Sequence, residues 1–244
     1  MNQRKPTRQW RRWHRWLGLV VVVPVLILSV TGVLLNHIDA FGWSSSPLPP
    51  WLARWYGAPV PEHLQGANVN GRWYTQANER LFIDEQDAFY CQSPFRGAVR
   101  ENGLMVVGCG DELLLLNQQG QEVERVGPAY GVPTYLALGT AGAQGLGLET
   151  PEGRIRFDVD HLTGDPLPAD TDWEPSRLEA LPDPLAAHIR SQSVPPSLNW
   201  QRFLLDLHAG RILGLTGQLI MDLAALLLSI LAVTGTVIWA RTRR

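Results

Sequence analysis

Leu17-Gly-Leu-Val-Val-Val-Val-Pro-Val-Leu-Ile-Leu-Ser-Val-Thr-Gly-Val-Leu-Leu35 runs for nineteen residues without a charge. That is the apolar length a helix needs to cross a bilayer core of about 30 Å. The basic residues before it, Arg4, Lys5, Arg8, Arg11, Arg12 and Arg15, raise a secretory signal as the competing reading. The run is too long for the apolar part of a signal, and Leu34-Leu35-Asn36-His37 is a poor cleavage site, so residues 17–37 read as a transmembrane helix. Its hexapeptide Ile27-Leu-Ser-Val-Thr-Gly32 returns as Ile230-Leu-Ala-Val-Thr-Gly235. The second copy lies in another uncharged stretch, Leu223 to Ala240, which gives a second span over 218–240 that contains only Asp222. Two copies near the chain ends imply paired elements rather than a solenoid.

Basic residues set the expected orientation. Six Lys or Arg precede the first span and Arg241, Arg243 and Arg244 follow the second, with no acidic residue in either tail. The tails 1–16 and 241–244 are therefore expected in the cytoplasm and the middle outside. Residues 36–217 hold twelve Arg against twenty-two acidic residues. An acidic exterior with basic residues at the membrane boundaries excludes a nucleic-acid-binding reading.

The exterior segment is long enough for one domain with its own core. Short apolar runs such as Arg72-Trp-Tyr-Thr75, Arg80-Leu-Phe-Ile83, Leu104-Met-Val-Val107, Glu112-Leu-Leu-Leu-Leu116 and Arg154-Ile-Arg-Phe157 are separated by Gly, Asn, Asp and Pro. They predict a mainly antiparallel β domain over 72–165, with one face of the sheet wet and hairpin turns at 117–120 and 160–164. Residues 38–71 and the Pro- and Asp-rich 166–197 read as linkers. Cys91 and Cys109 are expected to pair as a disulfide between neighbouring strands in an oxidising compartment; two buried free thiols are the alternative.

Residues 198–214 read as an interfacial amphipathic helix, with Phe203, Leu204, Leu207 and Ile212 on one face; a helix packed on the β domain is the alternative. Along the spans, Ser29 and Gly32 on the first and Asp222, Ala225, Ser229 and Ala232 on the second recur at helical spacing. Small residues allow close approach in lipid, so these two stripes are expected to form the helix seam. Asp222 is expected to reach the surface or to pair with Arg211.

Arg12-Trp-His-Arg-Trp-Leu-Gly-Leu19 leading into a Thr-Gly span, with Leu205-Asp-Leu-His-Ala-Gly-Arg211, Gly217-Gln-Leu-Ile-Met-Asp222 and a second Thr-Gly span, resembles the PepSY-associated transmembrane family. The resemblance covers roughly residues 10–40 and 200–244. It implies a bacterial inner-membrane protein related to iron-regulated ferric-siderophore reductases, some of which carry haem. Family reductases generally have more spans with PepSY domains between them, whereas this chain has two spans around a β-rich insert.

Candidate chemistry rests on histidines. His63, His161 and His188 lie in polar exterior stretches and read as solvated. His37 ends the first span and His208 precedes the second, so both are expected near the outer face. Two facing imidazoles ligate a haem iron axially, with Asp39 and Asp206 near enough in sequence to orient them. Interfacial residues capping helices are the alternative. His14 belongs to the inner face and needs a second chain for a histidine partner. With the resemblance, this gives haem b held by His37, His208 and His14 in a membrane electron carrier, a ferric-reductase component acting as a homodimer or with another membrane subunit. The competing reading is a non-catalytic accessory protein whose β domain recruits a partner. No Ser-His-Asp triad, phosphate-binding loop, zinc pattern or CxxC is present in the sequence.

Overall fold

A computed structural model describes residues 8–142 and 145–242. The chain divides into two compact units, one formed up to Leu48 and from Pro196 on, the other spanning Pro49–Pro195.

The first unit is built on two 29-residue helices, α1 (Arg8–Asn36) and α5 (Gly214–Thr242), packed against each other. Each is about 44 Å long, longer than a bilayer core. The helix starts at Arg8 rather than Leu17 because Trp10, Trp13 and Trp16 continue the helical spacing through the basic segment. The expected tail 1–16 is thus partly helical, and its residues 1–7 and residues 243–244 of the other tail lie outside the described residues. Trp10, Trp13, Trp16 and Trp239 are exposed, in keeping with aromatic side chains at membrane interfaces. Leu19, Val20, Val23, Leu26, Val30 and Val33 are exposed as well, and a continuous apolar surface of this kind suits lipid rather than water. Trp10–Asn36 and Arg211–Ala240 are long and apolar enough to cross a membrane.

The expected helix over 198–214 is interrupted. Helix α4 (Trp200–His208) starts where the Asn199 side chain accepts from the Arg202 N–H at 2.9 Å. It ends at Ala209, and Gly210 turns the chain with φ +72°. A short 3-10 turn, Arg211–Leu213, leads into α5. A Cβ on Gly210 would collide with the Gly217 carbonyl, and one on Gly217 with the Gly210 carbonyl. Glycine at both positions is what lets α4 fold back on α5.

The second unit contains three successive four-stranded antiparallel meanders. The first is β1 (Gln65–Val69), β2 (Arg72–Ala77), β3 (Arg80–Ile83) and β4 (Gln86–Tyr90). The second is β5 (Phe95–Glu101), β6 (Leu104–Cys109), β7 (Glu112–Leu116) and β8 (Glu122–Val126). The third is β9 (Ala137–Thr140), β10 (Leu146–Thr150), β11 (Gly153–Asp158) and β12 (Thr163–Pro166). Strand β13 (Glu174–Pro175) adds to the edge at β9, and β14 (Glu179–Ala180) to the edge at β1.

The middle sheet is covered on both faces. Val106, Leu113 and Leu115 pack with Tyr135, Leu138, Leu148 and Phe157 of the third meander and its approach. Val107, Leu114 and Leu116 pack with Tyr74, Leu81 and Ile83 of the first. Leu113 to Leu116 therefore form an unbroken apolar run, as a strand buried on both sides requires. The expected single wet face does not apply to it.

Between Pro49 and Pro195, the segments read as linkers are ordered parts of this unit. Residues 38–71 include α2 (Pro50–Trp55) and β1. Residues 166–197 include β13, β14 and α3 (Asp183–Gln192), which lays Ala186 and Ile189 against Phe82 and Ala77. Ser176 fastens this segment to the middle sheet, since its hydroxyl donates to the Ala98 carbonyl and accepts from the Ala98 N–H, both at 2.9 Å. Cys91 and Cys109 form a disulfide with Cα atoms 5.0 Å apart. It joins the residue after β4 to the end of β6, and so links two sheets rather than neighbouring strands of one.

Candidate functional site

The repeated hexapeptide builds a histidine clasp twice. On α1, the Thr31 hydroxyl donates to the Ile27 carbonyl at 2.6 Å, and its oxygen lies 2.8 Å from Nδ1 of His208. On α5, the Thr234 hydroxyl donates to the Ile230 carbonyl at 2.7 Å, and its oxygen lies 3.1 Å from Nδ1 of His14. A hydroxyl has one proton. Each threonine directs it to the carbonyl four residues back, so its oxygen accepts from Nδ1–H of the histidine. The neutral imidazole is thereby fixed as the Nδ1–H tautomer, which leaves Nε2 with a free lone pair.

The glycine completes the clasp. A Cβ on Gly32 would stand 3.7 Å from His208 Cε1, and one on Gly235 would stand 3.4 Å from His14 Cε1. The ring edges occupy the space a larger side chain would fill. Isoleucine carbonyl, threonine hydroxyl and glycine surface all come from one six-residue segment, which accounts for its repetition as a unit.

The fold positions both histidines. His14 lies on α1 itself, whereas His208 ends α4 and reaches α1 because the chain reverses at Gly210. Thr234 and Gly217 are as far apart in sequence on α5 as Thr31 and His14 on α1, so the Gly210–Gly217 contact brings α4 back to the level of Thr31. Asp206 braces this reversal. Its carboxylate is buried and pairs with Arg202 at 2.8 Å before the turn and with Arg211 at 3.5 Å after it. Between the clasps, Val21, Ala224 and Leu231 are buried. Antiparallel packing sets the two imidazoles about 25 Å apart along the α1 axis, close to the thickness of a bilayer core.

Several sequence-based expectations are corrected here. His208 engages Thr31 through Nδ1, and the His37 ring is exposed and makes no hydrogen bond among the described residues. Asp206 serves the two arginines rather than an imidazole, and Asp39 is exposed. Arg211 pairs with Asp206, so it does not take Asp222, which is exposed on α5. Gly32 lies in the seam, but Ser29, Ala225, Ser229 and Ala232 face outward. The stripe chosen by residue size is rotated from the buried one, because the histidine contacts and the side chains of Val21 and Leu231 set the helix faces. Each Thr-Gly meets a histidine instead of the other Thr-Gly. His161 is exposed and lies 3.1 Å from Asp158 in a turn, and His63 and His188 are at the surface.

The role of Thr31 and Thr234 as histidine partners was missed, although the sequence carries a signal for it. His14 is followed by Arg15-Trp-Leu-Gly-Leu19, and His208, after two residues, by Arg211-Ile-Leu-Gly-Leu215. The histidine-bearing segment is repeated as well as the Thr-Gly segment.

Two antiparallel helices long and apolar enough to cross a membrane, with a threonine-held histidine toward each end, define a membrane protein. The chain belongs to the family described as PepSY-associated TM region, which matches it over residues 1–242. No curated protein and no solved structure matches it.

A haem iron takes an imidazole whose other nitrogen is held by hydrogen bonding, and His14 and His208 meet that requirement. Among the described residues no three His, Cys, Asp or Glu side chains converge as a metal cage. Of the imidazoles on the first unit, His14 lies toward one end of the helix pair and His208 toward the other, with His37 following the end of α1.

Proposed function

We propose that the protein is an electron carrier of the bacterial inner membrane that binds haem b through His14 near one face and His208 near the other. In this reading a second copy would supply the other imidazole at each face, and the bound haem would serve delivery of electrons to periplasmic ferric-siderophore iron. The observation that carries the proposal is the pair of clasps: Thr31 and Thr234 accept from Nδ1–H and leave each Nε2 lone pair available to a metal. A haem iron held by two imidazoles supplies one-electron transfer with no open position for small ligands. Gly32 and Gly235 make room for the rings, and Val21, Ala224 and Leu231 exclude water between the two ends. The exposed small residues Ser29, Ala225, Ser229 and Ala232 allow close approach of a second helix pair in lipid.

Absorption spectroscopy of the full chain purified from haem-replete cells tests this. A Soret band with a low-spin reduced spectrum is expected. His14→Ala and His208→Ala should each remove part of it, whereas His37→Ala and His161→Ala should leave it unchanged. A wild-type protein without a Soret band would instead favour the accessory reading, in which the β domain recruits a partner.

A further inference from the structure

The β unit holds ten Arg against twenty acidic residues, so an arginine there has carboxylates to choose from. Arg54, Arg80, Arg125, Arg154, Arg156 and Arg177 each form an ion pair. Arg96 and Arg190 donate to the carbonyls of Leu136 and Glu62. Among the described residues, Arg72 and Arg100 have no carboxylate within ion-pair distance. Both line one cavity of about 320 Å³, shared with Asn70, Tyr74, Asn117 and Gln118. No Asp or Glu lines it.

The cavity lies among three hairpin turns. Asn70-Gly71 joins β1 to β2 and Asn102-Gly103 joins β5 to β6, with positive φ at all four residues. In the third, between β7 and β8, the Asn117 side chain accepts from the N–H groups of Gln119 and Gln121 at 3.0 and 2.9 Å. These bonds fix the rim, and rigid turns on a sheet scaffold are a common setting for binding. The two guanidinium groups come from different sheets, Arg72 from β2 and Arg100 from β5. Tyr74 shares the cavity with both arginines, and its phenol is pushed up in pKa by burial and by Asp84 while Arg72 and Arg100 pull it down.

We infer that this cavity is a binding site for a small carboxylate- or phosphate-bearing solute, held between the Arg72 and Arg100 guanidinium groups. Arginine presents paired N–H donors that match the oxygens of either group. The volume is at the small end of ligand pockets, which suits a compact anion. The acidic surface around the site disfavours non-specific anions, and this cavity, unlike the two others that Arg72 and Arg100 border, has no carboxylate in its lining.

Titration calorimetry on the full detergent-solubilised chain, with citrate in one arm and inorganic phosphate in the other, tests the site. Saturable binding in at least one arm is expected, and the arm that responds identifies the class. Arg72→Gln and Arg100→Gln should each weaken it by about tenfold or more. Arg72→Lys should recover only part of the loss, because the charge returns without the fork. Arg80→Gln, paired elsewhere with Asp87, should bind as wild type. Absence of saturable binding in both arms up to about 10 mM, or unchanged affinity in the Arg72→Gln, Arg100→Gln double variant, would overturn the proposal. Neither outcome depends on whether haem is bound.

Discussion

Nδ1 of His208 lies 2.8 Å from the Thr31 hydroxyl oxygen across 177 residues of sequence, and the Thr31 hydroxyl itself donates to the Ile27 carbonyl. Removing the acceptor while keeping the shape isolates this bond. Thr31→Val should weaken the helix pair by about 1 kcal/mol, and Thr31→Ser should restore most of it. Unfolding of the purified protein by a denaturing detergent measures both, and equal stability of Val and Ser variants would show that the bond contributes nothing.

Gly32 faces the His208 ring, whereas the Val22 side chain is exposed. Gly32→Leu should therefore displace the imidazole and lower stability clearly more than Val22→Leu. Similar melting of the two variants would contradict the clasp geometry.

The disulfide ties the first meander to the second across 18 residues. In the chain-entropy model a loop of this size is worth roughly 3 kcal/mol. The Cys91→Ser, Cys109→Ser double variant should lose about that much stability against urea, and wild type should approach it when reductant is added. Identical urea midpoints with and without the bridge would contradict this.

Two carboxylates give the β unit opposite pH responses. Burial holds the Glu101 pKa above the usual carboxylate range, so its contribution to stability is full below the unfolded pKa and is lost as pH rises through the raised folded value. Asp158 is held below that range by the His161 backbone N–H and ring and by the Asp160 N–H. Its contribution is present above the unfolded pKa and is lost as pH falls through the lowered one. Glu101→Gln should raise the melting temperature at neutral pH and have little effect below about pH 4, while Asp158→Asn should lower it at neutral pH and matter least in acid. Thermal melts across that range check both signs.

Both chain ends are expected on the cytoplasmic side, since the basic residues cluster there and α1 and α5 run antiparallel. A reporter fused after Arg244 should be active only in its cytoplasmic form. Activity of a periplasmic reporter at that position would reverse the direction assigned to electron flow.

The two spans and most strands were legible because each depends on local pattern: nineteen uncharged residues for α1, and short apolar runs between turn residues for the sheets. Leu113 to Leu116 did not alternate, and only the presence of sheets on both sides explains it. Helix α3 carried a local start signal in Pro182-Asp183-Pro184, which the surrounding proline and aspartate obscured. The clasps were hardest to read, because His208 and Thr31 are brought together by a chain reversal at Gly210 whose need for glycine appears only when α4 and α5 meet.

Because His14 and Thr31 share one unbroken helix, α1 acts as a gauge rod for the whole arrangement. Each residue inserted between them advances the rod by about 1.5 Å and turns it by about 100°. One extra residue would swing one clasp away from α5, while an extra full turn would restore the facing but slip one clasp about 5.4 Å out of step with the equal Gly217–Thr234 spacing on α5. The length of this segment is thus matched at once to the thickness of the membrane and to the angular phase at which a histidine can be caught at either end.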